Sequence, residues 1–266
     1  MEAKVLIITG FGLNCEIETK AAFETAGAEA TLIHLNDLLE KPEKLLDFNI
    51  LAFIGGFSFG DHLGAGTVFA NRIKTGMHEA LKKFIDGNKL IIGICNGFQT
   101  ITRLGLVPAI DGAYFEQQVA LAHNHEGVFR DDWVTLKAEK DSPCVFTAGI
   151  DNIELPIRHG EGCFTVENPE ILQIMEKKNL IALRYASPET GLPTDEFPHN
   201  PNGSVNSIAG ICDKTGRIFG LMPHPEAYIY PYNHPQWTRQ KINAELPNHG
   251  QGLILFENAV NYIKNS

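Results

Sequence analysis

Cysteine is scarce in this sequence of 266 residues, and what there is does not pair. Cys15, Cys95, Cys144, Cys163 and Cys212 are odd in number, widely spaced and free of any C-x-x-C motif. That argues against a disulfide framework and a zinc knuckle, and reduced thiols are expected. No run of ~18 apolar residues occurs, so no helical membrane span is expected. The opening MEAKVLIITG lacks a basic region and cleavage site, and a cytoplasmic location is expected. Positive charge is in the minority, with 22 Lys and Arg against 32 Asp and Glu. The resulting net charge of −10 argues against nucleic acid or an anionic membrane as partner. No G-x-x-x-x-G-K-[ST] loop is present, and the G-x-G at Gly10–Gly12 lacks its third glycine. No Ser/Pro-rich or charged linker divides the chain and no repeat is found, so one domain over 1–266 is expected.

What is present is βα alternation, then short strands. Lys4–Thr9 reads as a buried strand, Cys15 to about Ala26 as a helix capped by Asn14, and Glu29–His34 as a second strand. Strand, helix and strand in so short a stretch imply a parallel sheet. Asn49–Ile54 is a third strand. It breaks into the glycine-rich GGFSFGD loop at Gly55–Asp61, at the strand end where open α/β sheets place their sites. Thr67 is placed to cap one helix carrying Phe69, Ile73, Met77, Leu81 and Phe84 at helical spacing, which Gly87 stops. After Gly105 strand-like runs predominate: Gln118–Ala122, Trp133–Leu136, Ile153–Ile157, Ile181–Tyr185, Ser207–Cys212 and Ile218–Met222. Ser187–Asn200 reads as an ordered surface excursion, and Gly252–Lys264 as a terminal helix. The fold class expected is α/β: an open, mostly parallel, flavodoxin-like sheet flanked by helices, with an antiparallel extension in the C-terminal half.

Chemistry concentrates at Lys89–Thr100, KLIIGICNGFQT. Five of the six residues from Leu90 to Cys95 are apolar or sulfur-bearing, which suits a buried parallel strand. The strand runs into Gly93-Ile94-Cys95-Asn96-Gly97, a cysteine counterpart of the nucleophile elbow. Small neighbours are needed at such a corner, and the following helix aims the positive end of its dipole at the sulfur. A cysteine nucleophile needs a base and an orienting group. Of the ten histidines, His224 stands apart in Met222-Pro223-His224-Pro225-Glu226. Prolines restrict the backbone on both sides of it. In an extended segment His224 and Glu226 project to one side, so Glu226 can hold the histidine tautomer.

GICNGFQ together with PHPE resembles the triad-type (class I) glutamine amidotransferases. The loop GGFSFGD, HGEG at His159–Gly162 and NGS at Asn202–Ser204 narrow the resemblance to the glutaminase components of phosphoribosylformylglycinamidine synthase, in purine biosynthesis. Two positions depart from that pattern: Ala227 stands where an arginine usually follows PHPE, and Gly64 where a basic residue is common. The resemblance implies attack of Cys95 on the side-chain amide of glutamine, with His224 as base and Glu226 as its orienter. The amides of Asn96 and Gly56 are expected to form the oxyanion hole. Gln99 is placed to hold the amino-acid end of glutamine, and the backbone at Gly160 and Glu161 to complete the pocket. No metal or cofactor is implied in this chain, and His123-Asn124-His125-Glu126 reads as a polar loop. ATP and magnesium belong to the implied partner, a formylglycinamide ribonucleotide synthetase subunit, with a small bridging subunit as a further possible component. The alternatives are an amidotransferase serving another synthetase and a free-standing γ-glutamyl hydrolase.

Overall fold

The computed structural model describes residues 2–265. Its first half alternates strands with helices: β1 (Lys4–Thr9), α1 (Glu16–Thr25), β2 (Glu29–His34), α2 (Leu35–Glu40), β3 (Ile50–Phe53), α3 (Thr67–Gly76), α4 (His78–Asp86), β4 (Leu90–Ile94) and α5 (Asn96–Arg103). The second half is strand-rich: β5 (Ala120–Ala122), β6 (Arg130–Ala138), β7 (Asn152–His159), β8 (Cys163–Thr165), α6 (Pro169–Lys177), β9 (Ile181–Ala186), β10 (Ile208–Cys212) and β11 (Ile218–Leu221). The chain closes with α7 (Trp237–Ile242) and α8 (Leu253–Lys264).

Nine strands form one sheet in the order β2-β1-β3-β4-β11-β10-β9-β6-β7, and β5 pairs with β8 separately. The pairings from β2 to β11 are parallel, and those from β11 to β7 antiparallel. The parallel half has the flavodoxin-like order, with β11 as its fifth strand. The antiparallel extension comes from the C-terminal half, as expected. β3, β4, β10 and β11 are buried along their whole length, so their residues are near-continuously apolar rather than alternating. α1 packs on α8 through Phe23 and Phe256, edge to face at 4.9 Å. No helix among the described residues is long and apolar enough to cross a membrane.

Several local expectations are corrected. Asn14 does not cap α1: Cys15 holds that position without a side-chain cap bond, and its thiol donates to Asn14 Oδ1 at 3.5 Å. The helix expected over 67–86 is two helices, broken at Met77, where φ is −143°. Gly76, a weak helix former, precedes the break and lies so close to Leu39 that a Cβ would meet Cδ2 at 2.5 Å. Its apolar positions are nevertheless buried as read. The cap of α3 is Gly66 in the left-handed region, not Thr67. A Cβ on Gly66 would sit 2.7 Å from the Thr100 amide nitrogen, so glycine is required there.

Candidate active site

The site lies where β3, β4 and β11 end. Cys95 sits between β4 and α5 with φ 52° and ψ −108°, a backbone conformation that costs about 1–3 kcal/mol and that surrounding structure must impose. Three contacts impose it. The Cys95 amide donates to Leu221 O at 2.9 Å, tying the corner to β11. A Cβ on Gly97 would lie 2.0 Å from Phe53 O, and one on Gly93 would lie 2.8 Å from Gly97 O. The two glycines therefore let α5 settle directly on β3 and β4. Cys95 is buried, and its sulfur lies 3.7 Å from Arg158 O.

His224 follows β11, and its amide donates to Pro156 O on β7 at 2.8 Å. The segment is not extended, as the sequence suggested: Pro225–Ala227 forms a 3-10 turn, with proline at its first position. The turn still brings Glu226 back onto the imidazole. His224 Nδ1 donates to Glu226 Oε1 at 2.6 Å, with both side chains buried. That bond assigns the proton to Nδ1 and leaves Nε2 as the free nitrogen. Burial alone would push the His224 pKa down. The Glu226 carboxylate, aided by the neighbouring Cys95 and Cys15 sulfurs, more than offsets this and holds it well above the ordinary value.

Gly55 packs on the same ring. A Cβ there would lie 2.7 Å from His224 Cε1 and 2.9 Å from Cys15 Sγ. Replacing Gly55 with Ala is expected to displace the imidazole and lower the turnover of the site by ~10²-fold, the usual cost of ångström-scale misplacement. Steady-state turnover, alongside a thermal melt to confirm folding, checks this. An unchanged kcat would show that Gly55 does not set the ring position.

In front of Cys95 opens a cleft of ≈ 220 Å³, lined by Gly56, Gln99, Gly160 and Glu161 among others. His224 and Glu226 are not among the residues that line the cleft. Gly56 bridges Leu13 as a lone antiparallel pair, with Asn14 N bonded to Gly55 O and Phe57 N to Gly12 O. The flanking residues make the ladder bonds, so the Gly56 N–H lies outside the ladder. The Asn96 N–H, at the first turn of α5, likewise has no intrahelical partner. Gln99 joins the wall through both ends of its amide: Nε2 donates to Glu161 O at 2.5 Å, and Oε1 accepts from Asn96 Nδ2 at 3.1 Å. Glu161 Oε2 in turn accepts from Ala65 N at 3.1 Å.

Sequence reasoning gave no role to several cleft residues, among them Asp61 and His159, which lie in quoted motifs. Asp61, the last residue of GGFSFGD, accepts from Asn96 Nδ2 at 3.1 Å. Burial, with the nearby Glu161 charge adding to it, pushes its carboxyl up to about 6. His159, the first residue of HGEG, is buried and held down to about 3 by desolvation and then by the neighbouring His224. Its tautomer follows from Asn124. Asn124 Nδ2 donates to Val128 O and His159 O, so Oδ1 is the acceptor facing His159 Nδ1 at 3.1 Å. His159 therefore carries its hydrogen on Nδ1. Asn124 thus organises the loop read as a polar stretch, while His123 approaches Glu161 at 3.6 Å.

Fold and site together define the class. The chain belongs to the CobB/CobQ-like glutamine amidotransferase domain family, whose model matches residues 2–263. Within that class the relatives converge on one enzyme. The chain is 44% identical over 268 residues to the phosphoribosylformylglycinamidine synthase subunit PurQ of Methanococcus maripaludis strain C5, covering 98% of this chain and 99% of the relative. It is 42% identical over 265 residues to the same subunit from Dehalococcoides mccartyi, covering 99% and 98%. These identities identify it as a glutaminase component of phosphoribosylformylglycinamidine synthase. The structure is similar to a chain in the structure of PurLQS from Thermotoga maritima, with a TM-score of 0.71 and 28% identity over 99% of this chain and 100% of that one.

Proposed function

We propose that this chain hydrolyses glutamine to glutamate and ammonia through Cys95, His224 and Glu226, and passes the ammonia to a synthetase subunit. That partner converts formylglycinamide ribonucleotide to formylglycinamidine ribonucleotide with ATP and magnesium, while this chain needs no cofactor for its own step. The observation that carries the reading is the strained Cys95 corner backed by the buried His224–Glu226 pair. Cys95 attacks the glutamine amide carbon, and its proton passes to His224 Nε2. The tetrahedral oxyanion is met by the N–H groups of Asn96 and Gly56. His224 then protonates the leaving ammonia, a glutamyl thioester remains, and His224 activates the water that releases glutamate. Glu226 keeps the ring in the tautomer with Nε2 free.

Glutamine lies in the cleft with its amino-acid end at Gly160 and Glu161. Gln99 supports that end, fixing the wall through its bond to Glu161 O. The similarity to the chain in PurLQS supports a synthetase partner, and a small bridging subunit belongs to the same proposal. Gly56, at φ 139°, has the backbone freedom to reorient its peptide when the partner docks. The isolated chain is therefore expected to release ammonia slowly. The reconstituted complex with its nucleotide should be ~30–150-fold faster, within the range of ordinary coupling energies. Steady-state glutaminase assays on the two preparations test this. Full activity of the isolated chain, unchanged by the synthetase, would overturn partner control and favour a free-standing γ-glutamyl hydrolase.

A further inference from the structure

Cys15 has no part in the mechanism above, yet it stands against the catalytic pair. It begins α1, 209 positions from His224, and its Sγ lies 4.0 Å from His224 Nδ1. Cys15, His224 and Glu226 are all buried, and one ligand atom from each lies within 4.8 Å of the others. Glu226 uses Oε1 to hold the imidazole, whereas Oε2 is buried and has no hydrogen-bond partner. A buried carboxylate oxygen left in that state is costly. Thiolate, imidazole nitrogen and carboxylate oxygen are a donor set suited to zinc-class cations.

We propose that Cys15, His224 and Glu226 form a binding site for a borderline-soft divalent cation of the zinc class, and that its occupancy switches the amidotransferase off. Bonds of ~2.3 Å to sulfur and ~2.0 Å to nitrogen together span the 4.0 Å between Cys15 Sγ and His224 Nδ1. Charge balances in the buried site, because a dication meets one thiolate and one carboxylate. Protons balance as well. The Cys15 S–H proton goes to solvent, and the hydrogen on Nδ1 moves to Nε2 as the metal takes Nδ1. Nε2 then carries a hydrogen and cannot accept the one from Cys95, and Glu226 no longer orients the ring. Inhibition thus rests on the roles given above to His224 and Glu226, whereas metal binding does not.

The test uses Co²⁺ and Zn²⁺ on the full chain after chelator treatment. In the Cys95→Ser variant, which removes the competing sulfur beyond His224, Co²⁺ is expected to bind as one equivalent. A thiolate-to-metal absorption band should accompany it, and Zn²⁺ should displace it. Adding Cys15→Ser should abolish the band and weaken binding by at least ~10–100-fold. Cys15→Ala, with a thermal melt, provides a second variant should the serine destabilise the fold. In the chain with Cys95 intact, Cys15→Ser should make glutaminase activity ~10–100-fold less sensitive to Zn²⁺. A band kept by Cys15→Ser but lost in Cys95→Ser would put the ion between Cys95 and His224, and would overturn the proposal. Absence of a band in the unmodified chain would do the same. Failure of the glutaminase reading registers separately, as a metal-free complex that releases no ammonia from glutamine.

Discussion

Cys95→Ala is expected to abolish glutamine-dependent synthesis by the assembled enzyme, by ~10⁴-fold or more, while leaving ammonia-dependent synthesis by the partner intact. The magnitude is that of removing a nucleophile whose partners act as a unit with it. All five cysteines are free and buried, so burial does not select among them. Geometry does. Only Cys95 combines the strained corner, the first turn of α5 and the cleft. Cys15 also touches His224, but burial raises its thiol to about 11, so it stays protonated at neutral pH and is a poor nucleophile. Alanine adopts the corner no less readily than cysteine, so the fold should survive. Comparison of glutamine and ammonia as nitrogen donors makes the measurement. If Cys95→Ala kept glutaminase activity and Cys15→Ala lost it, the nucleophile would be Cys15.

The parallel half and the elbow were legible in the sequence because their signals are local. β1 and β2 were read to their exact ends, and β4 to within a residue, helped in β1 and β4 by buried apolar runs that leave little room for another interpretation. The antiparallel half was harder. β6 begins in polar, partly exposed Arg130–Trp133 and becomes apolar only further on, so just its inner part resembled a strand. α7 buries no residue, which leaves no apolar stripe to detect. β8 has three residues, too few for any period to register.

Within the candidate site, His224 and Glu226 were singled out because prolines set them apart, and the structure pairs them, although the turn joining them was misread as extended. Cys15 could not be placed beside them. The 209 positions between Cys15 and His224 are closed only by the sheet order, which carries β11 back to β4. Asp61 and His159 were visible as motif letters. Their neighbours, Asn96 for one and Asn124 for the other, are tertiary contacts that no spacing rule supplies.

His224→Ala should lower kcat by ~10²–10⁴-fold, the worth of a positioned acid–base group, and Glu226→Gln should cost less. The amide oxygen of glutamine can still accept from Nδ1 and hold the tautomer, but it lacks the charge that stabilises imidazolium. That difference has a signature in pH. Burial pulls the His224 pKa down, and the Glu226 carboxylate is the foremost influence pulling it up, to a net position well above the ordinary histidine value. A raised pKa favours the protonated ring that forms when Nε2 takes the Cys95 proton, so the acid that serves departing ammonia is lost on the alkaline side. Removing the Glu226 charge lets desolvation act with less opposition, and the alkaline limb of kcat should move to lower pH. The profile of Glu226→Gln against the native chain in the reconstituted complex decides the matter. A reduced kcat with an unmoved alkaline limb would mean that Glu226 acts through packing and not through its charge, and equal activity of His224→Ala across the pH range would place the base elsewhere.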